Sequence, residues 1–330
     1  MLFFNTLMVG TFISISAYSW FSMWVGLEIN LLSFIPLIWI KNNALSSESA
    51  IKYFIVQSLA SIFILFSVIL NLTMSEFFYN ISHFFYIIMD SALLTKMGAA
   101  PFHFWMPEIC EGLTWWNNLI LLTWQKIAPF LLIFFNPLSE MYIIIIIISS
   151  MLTSGILGWN QVSLRKIMVY SSINHMGWML SFSFLNQSLW IYYFSMYTFL
   201  SLSLIIFFNF FKINFFQQIF FLLKNNKNLK IFFFLNFFSL GGLPPLIGFF
   251  PKWISISMLL NNNFFILSII MTLLTLFTLY FYLRLSISSL VLTQTNNLNY
   301  FFLGKKNFFL SLMNFFNLLG MMLIPLLWNF

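Results

Sequence analysis

Apolar residues fill long runs on every side of the chain, and short polar gaps separate the runs. Stretches such as "MYIIIIIISSMLTSGIL" (141–157) are hydrophobic at every helical angle, and apolar runs of about 18 or more residues cross ~30 Å of hydrocarbon. A membrane β-barrel would instead alternate polar and apolar residues over ~10-residue segments. The pattern predicts an all-α, polytopic membrane protein with about eleven transmembrane helices, at 1–19, 21–40, 49–72, 84–106, 116–134, 141–157, 165–184, 189–211, 231–260, 264–290 and 308–328. The connections are short except for 211–230 and 291–307, and no soluble domain fits between the spans.

Charge tests this count. The gaps after even-numbered spans, counted with the first two residues of the seventh span, together hold Lys41, Arg165, Lys166, Lys212, Lys224, Lys227, Lys230, Lys305 and Lys306. The gaps after the odd-numbered spans through the ninth hold no Lys or Arg, only Glu76 and Glu140. Basic residues stay on the side from which a chain is inserted, so the N-terminus is expected on the positive side and the C-terminus on the other. In an inner mitochondrial membrane these are the matrix and the intermembrane space.

Composition narrows the class. The chain is 61% hydrophobic and 6% charged, against roughly a quarter charged in soluble domains. Its one cysteine, Cys110, allows no internal disulfide and no Cys-ligated cluster. His83, His103 and His175 lack zinc-site spacing, so no metal site is expected. The glycine-rich "GGLPPLIG" (241–248) lacks the Lys-Ser/Thr of a phosphate loop and reads as a helix break. "MLFFNTLMVG" resembles neither a cleavable signal nor an Arg-rich presequence, which suggests synthesis inside any organelle that holds the protein. The abundance of Phe, Ile, Leu, Asn and Lys suggests AT-rich coding, as in an animal mitochondrial gene.

Two spans are interrupted. In the fourth, Pro101 cannot donate to the carbonyl of Met97, next to Lys96. In the ninth, Pro244 and Pro245 release the carbonyls of Leu240 and Gly241, and Pro251 releases that of Ile247, near Lys252. Five spans separate the breaks, and an odd offset inverts the second unit. Inverted repeats with broken helices at matching positions mark transport sites. The expected repeats are 1–135 and 139–294, with 308–328 as an added helix in one integral membrane domain. On that register Lys126 matches Arg284, and Glu28 matches His175.

The buried charges carry the chemistry. Lys52 and Arg284 lie near the positive face, where their heads can snorkel to water. Lys96, Lys126, Lys252 and Glu28 lie too deep for that. An Arg, Lys or Asp at a helix centre costs roughly 2.5–3.5 kcal/mol, so the four together ask for about 10 kcal/mol, the scale of a whole domain's stability. A Glu28–Lys96 strut would explain two of them and leave two lysines without an acid of comparable depth. Proton exchange explains all four, because burial disfavours the charged form of an amine and a carboxylate nearby favours it. Carbonyls freed at the breaks can hold water for a proton wire. His103, seven residues after Lys96, and His175 are candidate relays or ordinary core histidines. Glu108 and Glu111 read as solvated loop charges, and Asp90 is ambiguous.

"GLEINLLSFIP" (26–36), "LLTKMGAAPFHFWMPEICEGLTWW" (93–116), "TWQKIAPF" (123–130), "SLRKIMVYSSINHMGWML" (163–180) and "LSLGGLPPLIGFFPKW" (239–253) occur together. As a set they resemble the chain 2 family of mitochondrial NADH:ubiquinone oxidoreductase, respiratory complex I, in its animal form. The likeness runs over nearly the whole chain, and each motif alone is shared with the wider antiporter-like family. It implies a proton-translocating subunit of the membrane arm in which Glu28 pairs with Lys96, Lys126 is the central relay and Lys252 lies on the terminal route. Asp90 falls where the family pattern has an apolar residue. The resemblance also implies a core subunit of a translocase in the mitochondrial inner membrane, without a cofactor of its own. NADH, FMN, the iron–sulfur clusters and ubiquinone would be bound by other subunits. The expected partners are other membrane-arm subunits, both antiporter-like and small, and the lipid bilayer, with no nucleic acid. A sodium–proton antiporter subunit and a purely structural membrane-arm subunit are the alternatives.

Overall fold

A computed structural model describes residues 1–41, 43–74, 82–136, 139–184, 187–223 and 227–291, together with Phe315 and Asn317. The predicted span 308–328 therefore lies largely outside the described residues. The described chain is all-helical, apart from an isolated bridge between Ser163 and Phe215, and it divides into two compact units, Met1–Ser150 and Met151–Phe330.

The first unit contains α1 (Leu2–Ser16), α2 (Trp20–Ile38), α3 (Ala44–Met74), α4 (Ser82–Met97), α5 (Trp105–Gly112), α6 (Trp115–Leu122), α7 (Trp124–Phe135) and the start of α8 (Glu140–Gly158). Its surface is inverted relative to a soluble protein. On α3, Tyr53, Gln57, Ala60, Ile64 and Ser67 recur every three or four residues and are buried. Ile51, Ile55, Leu59, Ile62, Phe66 and Ile69 on the opposite side are exposed. A helix that turns its amide and hydroxyl groups inward and its isoleucines outward is solvated by lipid. α1 and α2 approach closely: a Cβ on Gly26 would lie 2.6 Å from the Ser14 nitrogen and 2.8 Å from the Gly10 carbonyl oxygen. Small residues at such crossings let membrane helices touch backbone to backbone.

The second unit holds the rest of α8, then α9 (Leu164–Ser181) with a 3-10 turn at Phe182–Phe184, α10 (Gln187–Phe211), α11 (Phe216–Leu223), α12 (Lys227–Gly241), α13 (Phe249–Asn261) and α14 (Phe265–Val291). α9 is its inner helix. Every residue from Ile167 to Ser181 is buried, including Ser171, Ser172, Asn174 and His175. So polar a helix tolerates membrane depth only with protein on all sides.

Six helical stretches among the described residues are long and apolar enough to cross a membrane, and Leu2–Ser16 is a shorter apolar helix. Three details differ from expectation. Span 116–134 is two helices, because the backbone leaves the helical path at Thr123 (φ −116°, ψ −72°). The connection after α10 contains α11. Span 84–106 is interrupted as expected, but its first helix already stops at Met97 and the next begins only at Trp105.

Candidate functional site

The two breaks share one backbone plan. Sliding the first along the chain by 144 positions lays Gly98 on Gly242, Pro101 on Pro245, Trp105 on Phe249 and Pro107 on Pro251. Both helices end in a left-handed glycine, Gly98 at φ 75° and Gly242 at φ 77°. In the first, Ala99 N–H donates to the Leu94 carbonyl at 3.1 Å and Gly98 N–H to that of Thr95 at 3.2 Å. In the second, Leu243 N–H donates to Phe238 at 3.1 Å and Gly242 N–H to Ser239 at 3.0 Å. These are two Schellman caps, in which glycine carries the positive φ without a Cβ penalty. Seven residues beyond each glycine a helix restarts, α5 at Trp105 and α13 at Phe249. Pro107 and Pro251 fall in those first turns, where a missing N–H removes no intrahelical bond. Pro251 therefore starts a helix rather than breaking one.

A Schellman cap satisfies the carbonyls three and four residues before its glycine and leaves the last two without backbone partners. At the second break the Lys252 side chain meets this need. Its Nζ donates to the Gly241 carbonyl at 2.8 Å and to the Leu240 carbonyl at 3.3 Å, the two oxygens that Pro244 and Pro245 release. The lysine stem crosses Gly242 so closely that a Cβ there would lie 2.8 Å from its Cδ. At the first break the matching carbonyl belongs to Lys96, and it accepts from Gln57 Nε2 at 3.3 Å. Trp105 Nε1 donates to the Thr95 carbonyl at 3.0 Å. One side-chain nitrogen thus serves the same orphan oxygen in each unit, an amide in the first and an amine in the second.

Lys96 and Lys126 are buried in the first unit and Lys252 in the second, at 7%, 1% and 5% exposure. Glu28 is half-buried on α2. Its charge reaches Lys96, but the two do not approach within ion-pair distance. Lys52 forms ion pairs with Glu48 and Glu108, both at 2.8 Å on the exposed surface. Lys52 and Glu108 thus behave as surface charges. Lys126 sits three residues beyond the Thr123 interruption, within electrostatic reach of Cys110. Arg284 donates to the Trp159 carbonyl from an exposed position on α14.

His103 is buried in the loop between α4 and α5, beside the Pro101 backbone. Neither ring nitrogen makes a well-formed hydrogen bond among the described residues. His175 sits in α9 with Nδ1 2.9 Å from the Tyr193 hydroxyl and its ring against Tyr197. Gln57, Tyr193 and Thr123 had no sequence signal as site residues, whereas the shared Gly-x-x-Pro of the two breaks was there to be aligned. Asp90 is 2% exposed, and its Oδ1 accepts from Asn136 Nδ2 at 2.7 Å.

The first unit thus holds two buried amines, a buried imidazole and a half-buried carboxylate around its helix break and the Thr123 bend, and the second holds a buried amine at its break and a buried imidazole within α9. Residues 17–278 match the family described as "NADH:quinone oxidoreductase/Mrp antiporter, TM". The NADH-ubiquinone oxidoreductase chain 2 of Anopheles gambiae is 47% identical over 336 residues, covering 99% of this chain and 97% of the relative. The fold is similar to a chain of respiratory complex I from Thermus thermophilus, at TM-score 0.83 and 20% identity, covering 98% of this chain and 79% of that one. It is also similar to a chain of the Mrp complex from Dietzia sp. DQ12-45-1b, at TM-score 0.73 and 16% identity, covering 85% and 58%.

Proposed function

The chain belongs to the NADH:quinone oxidoreductase/Mrp antiporter transmembrane family, and on that premise we propose that it is an antiporter-like membrane-arm subunit of respiratory complex I. It moves protons across the mitochondrial inner membrane, driven by electron transfer from NADH to ubiquinone in other subunits. It carries no redox centre of its own. Eleven spans form two inverted five-helix repeats, 1–135 and 139–294, plus the helix at 308–328, with the N-terminus in the matrix and the C-terminus in the intermembrane space. Glu28 sets the charge balance at Lys96, Lys126 relays protons through the middle, and Lys252 stands on the terminal route. His103 and His175 are further relay groups. The neighbours are the other antiporter-like and small membrane-arm subunits.

The observation that carries this reading is the pair of matching helix breaks, each with a buried lysine within a few residues or within hydrogen-bonding reach. An amine at membrane depth costs roughly 2.5–3.5 kcal/mol when charged, and broken helices at repeat-related positions are how transporters build binding sites. Lys96→Met tests it. In the assembled complex the variant should move fewer protons per NADH oxidised while electron transfer continues. A normal ratio would overturn the reading, and a scaffold would lose assembly while sparing translocation in what remains. The likeness to the Mrp complex favours a sodium–proton antiporter as the second reading. It requires Na⁺-dependent proton movement without NADH oxidation.

A further inference from the structure

Asp90 is a buried carboxyl for which the lysine chain has no use. It lies on α4 six residues before Lys96, about 9 Å along the axis at 1.5 Å per residue. Its Oδ1 accepts a 2.7 Å hydrogen bond from Nδ2 of Asn136, the residue that ends α7. Tyr142, on the first turns of α8, lies within electrostatic reach of the carboxyl. The cluster therefore joins the interior of α4 to the membrane face where α7 ends and α8 begins. That is the face whose gaps carry no Lys or Arg, only Glu76 and Glu140.

The hydrogen-bond inventory of this cluster is unbalanced. Asp90 brings two acceptor oxygens and Asn136 a third. The Asn136 Oδ1 is buried with no hydrogen-bond partner among the described residues. No cation among those residues lies within 4 Å of the carboxyl, and the one donor seen is the Asn136 amide. Buried polar atoms rarely stay unpaired, so a proton or a water must supply what is missing. A strut between α4 and α7 would need neither a carboxyl nor a spare acceptor, since asparagine at position 90 would make the same tie.

We propose that Asp90 is a further proton-relay carboxyl, passing protons between the lysine at the first helix break and the face where α7 ends, with Asn136 orienting it. In each transfer the Lys96 ammonium gives up a proton through bridging water, so an N–H bond breaks and an O–H bond forms on Asp90. The carboxylic acid then releases that proton to water on the far side, which restores the carboxylate. This rests on the proposed proton-translocating function.

The test is Asp90→Asn, Asp90→Glu and Lys96→Met in the whole complex, reading assembly, NADH oxidation and protons moved per NADH in sealed vesicles. Asp90→Asn keeps the shape and the hydrogen bond but cannot hold the transferred proton. It should lower the ratio to that of Lys96→Met, and Asp90→Glu should restore it. A normal ratio in Asp90→Asn beside a lowered one in Lys96→Met overturns the role of Asp90 alone. Normal ratios in both overturn the translocating function, and the relay with it. If Asp90→Asn does not assemble, Asn136→Ala decides, because it keeps the carboxyl and removes its amide donor. A lowered ratio there supports the relay, and an unchanged ratio overturns it.

Discussion

Replacing Lys252 with methionine separates what its amine does for the fold from what it does for protons. Methionine keeps much of the stem across Gly242 and removes the donor. The carbonyls of Leu240 and Gly241 then lose their contacts of 3.3 and 2.8 Å. A buried group left unsatisfied costs about 1–3 kcal/mol, so the two together lose about 2–6 kcal/mol. In return the membrane no longer holds an ammonium, which relieves roughly 2.5–3.5 kcal/mol. The net change lies between about 1.5 kcal/mol stabilising and about 3.5 kcal/mol destabilising, small enough for the complex to assemble. The group proposed to carry protons is gone all the same. Native electrophoresis should show normal complex, and vesicles energised with NADH should acidify less per NADH oxidised. Undiminished translocation in that variant would refute the role of Lys252. Absence of the complex would refute the reasoning that desolvation and capping nearly cancel.

The other two expectations concern the backbone around the breaks. Gln57→Leu leaves the Lys96 carbonyl without its 3.3 Å donor and relieves no charge, so it should destabilise the complex by about 1–3 kcal/mol. Its protons per NADH should be normal, and a lowered ratio at normal stability would contradict a purely capping role. Gly248→Ala would place a methyl 1.7 Å from the Ser239 carbonyl oxygen, a backbone collision that no rotamer avoids. Native electrophoresis should find little or no assembled complex.

The helical class, the interrupted spans and the buried lysines were legible because each rests on a strong one-dimensional signal. An 18-residue apolar run, a proline within a span and an isolated lysine are visible without knowing what lies beside them. The carbonyls of Leu240 and Gly241 were identifiable as released from the two prolines alone. What the amine of Lys252 does there depends on the chain folding back from α13 over Gly242, which spacing does not encode. Gln57 was invisible for the same reason, since a glutamine in an apolar helix announces no partner 39 residues away. The bend at Thr123 had no glycine or proline at that position to mark it. α11 was missed because its eight residues, Phe216–Leu223, are too few to stand out as a span.

The two breaks use the same backbone with the charges moved. Where the first unit has Lys96 the second has Leu240, and where the second has Lys252 the first has Glu108, which points to the surface and meets Lys52. The consequence is unequal coupling between protonation and backbone. A charge-assisted hydrogen bond is roughly twice as strong as a neutral one, so a proton lost from Lys252 weakens the very bonds that hold the end of α12. A proton lost from Lys96 leaves the corresponding end of α4 held by Gln57, whose amide does not titrate. On the proposed translocating role, proton transfer at the first break would be an electrostatic event, answered by Glu28. At the second it would also be a mechanical one, felt directly by the end of a helix.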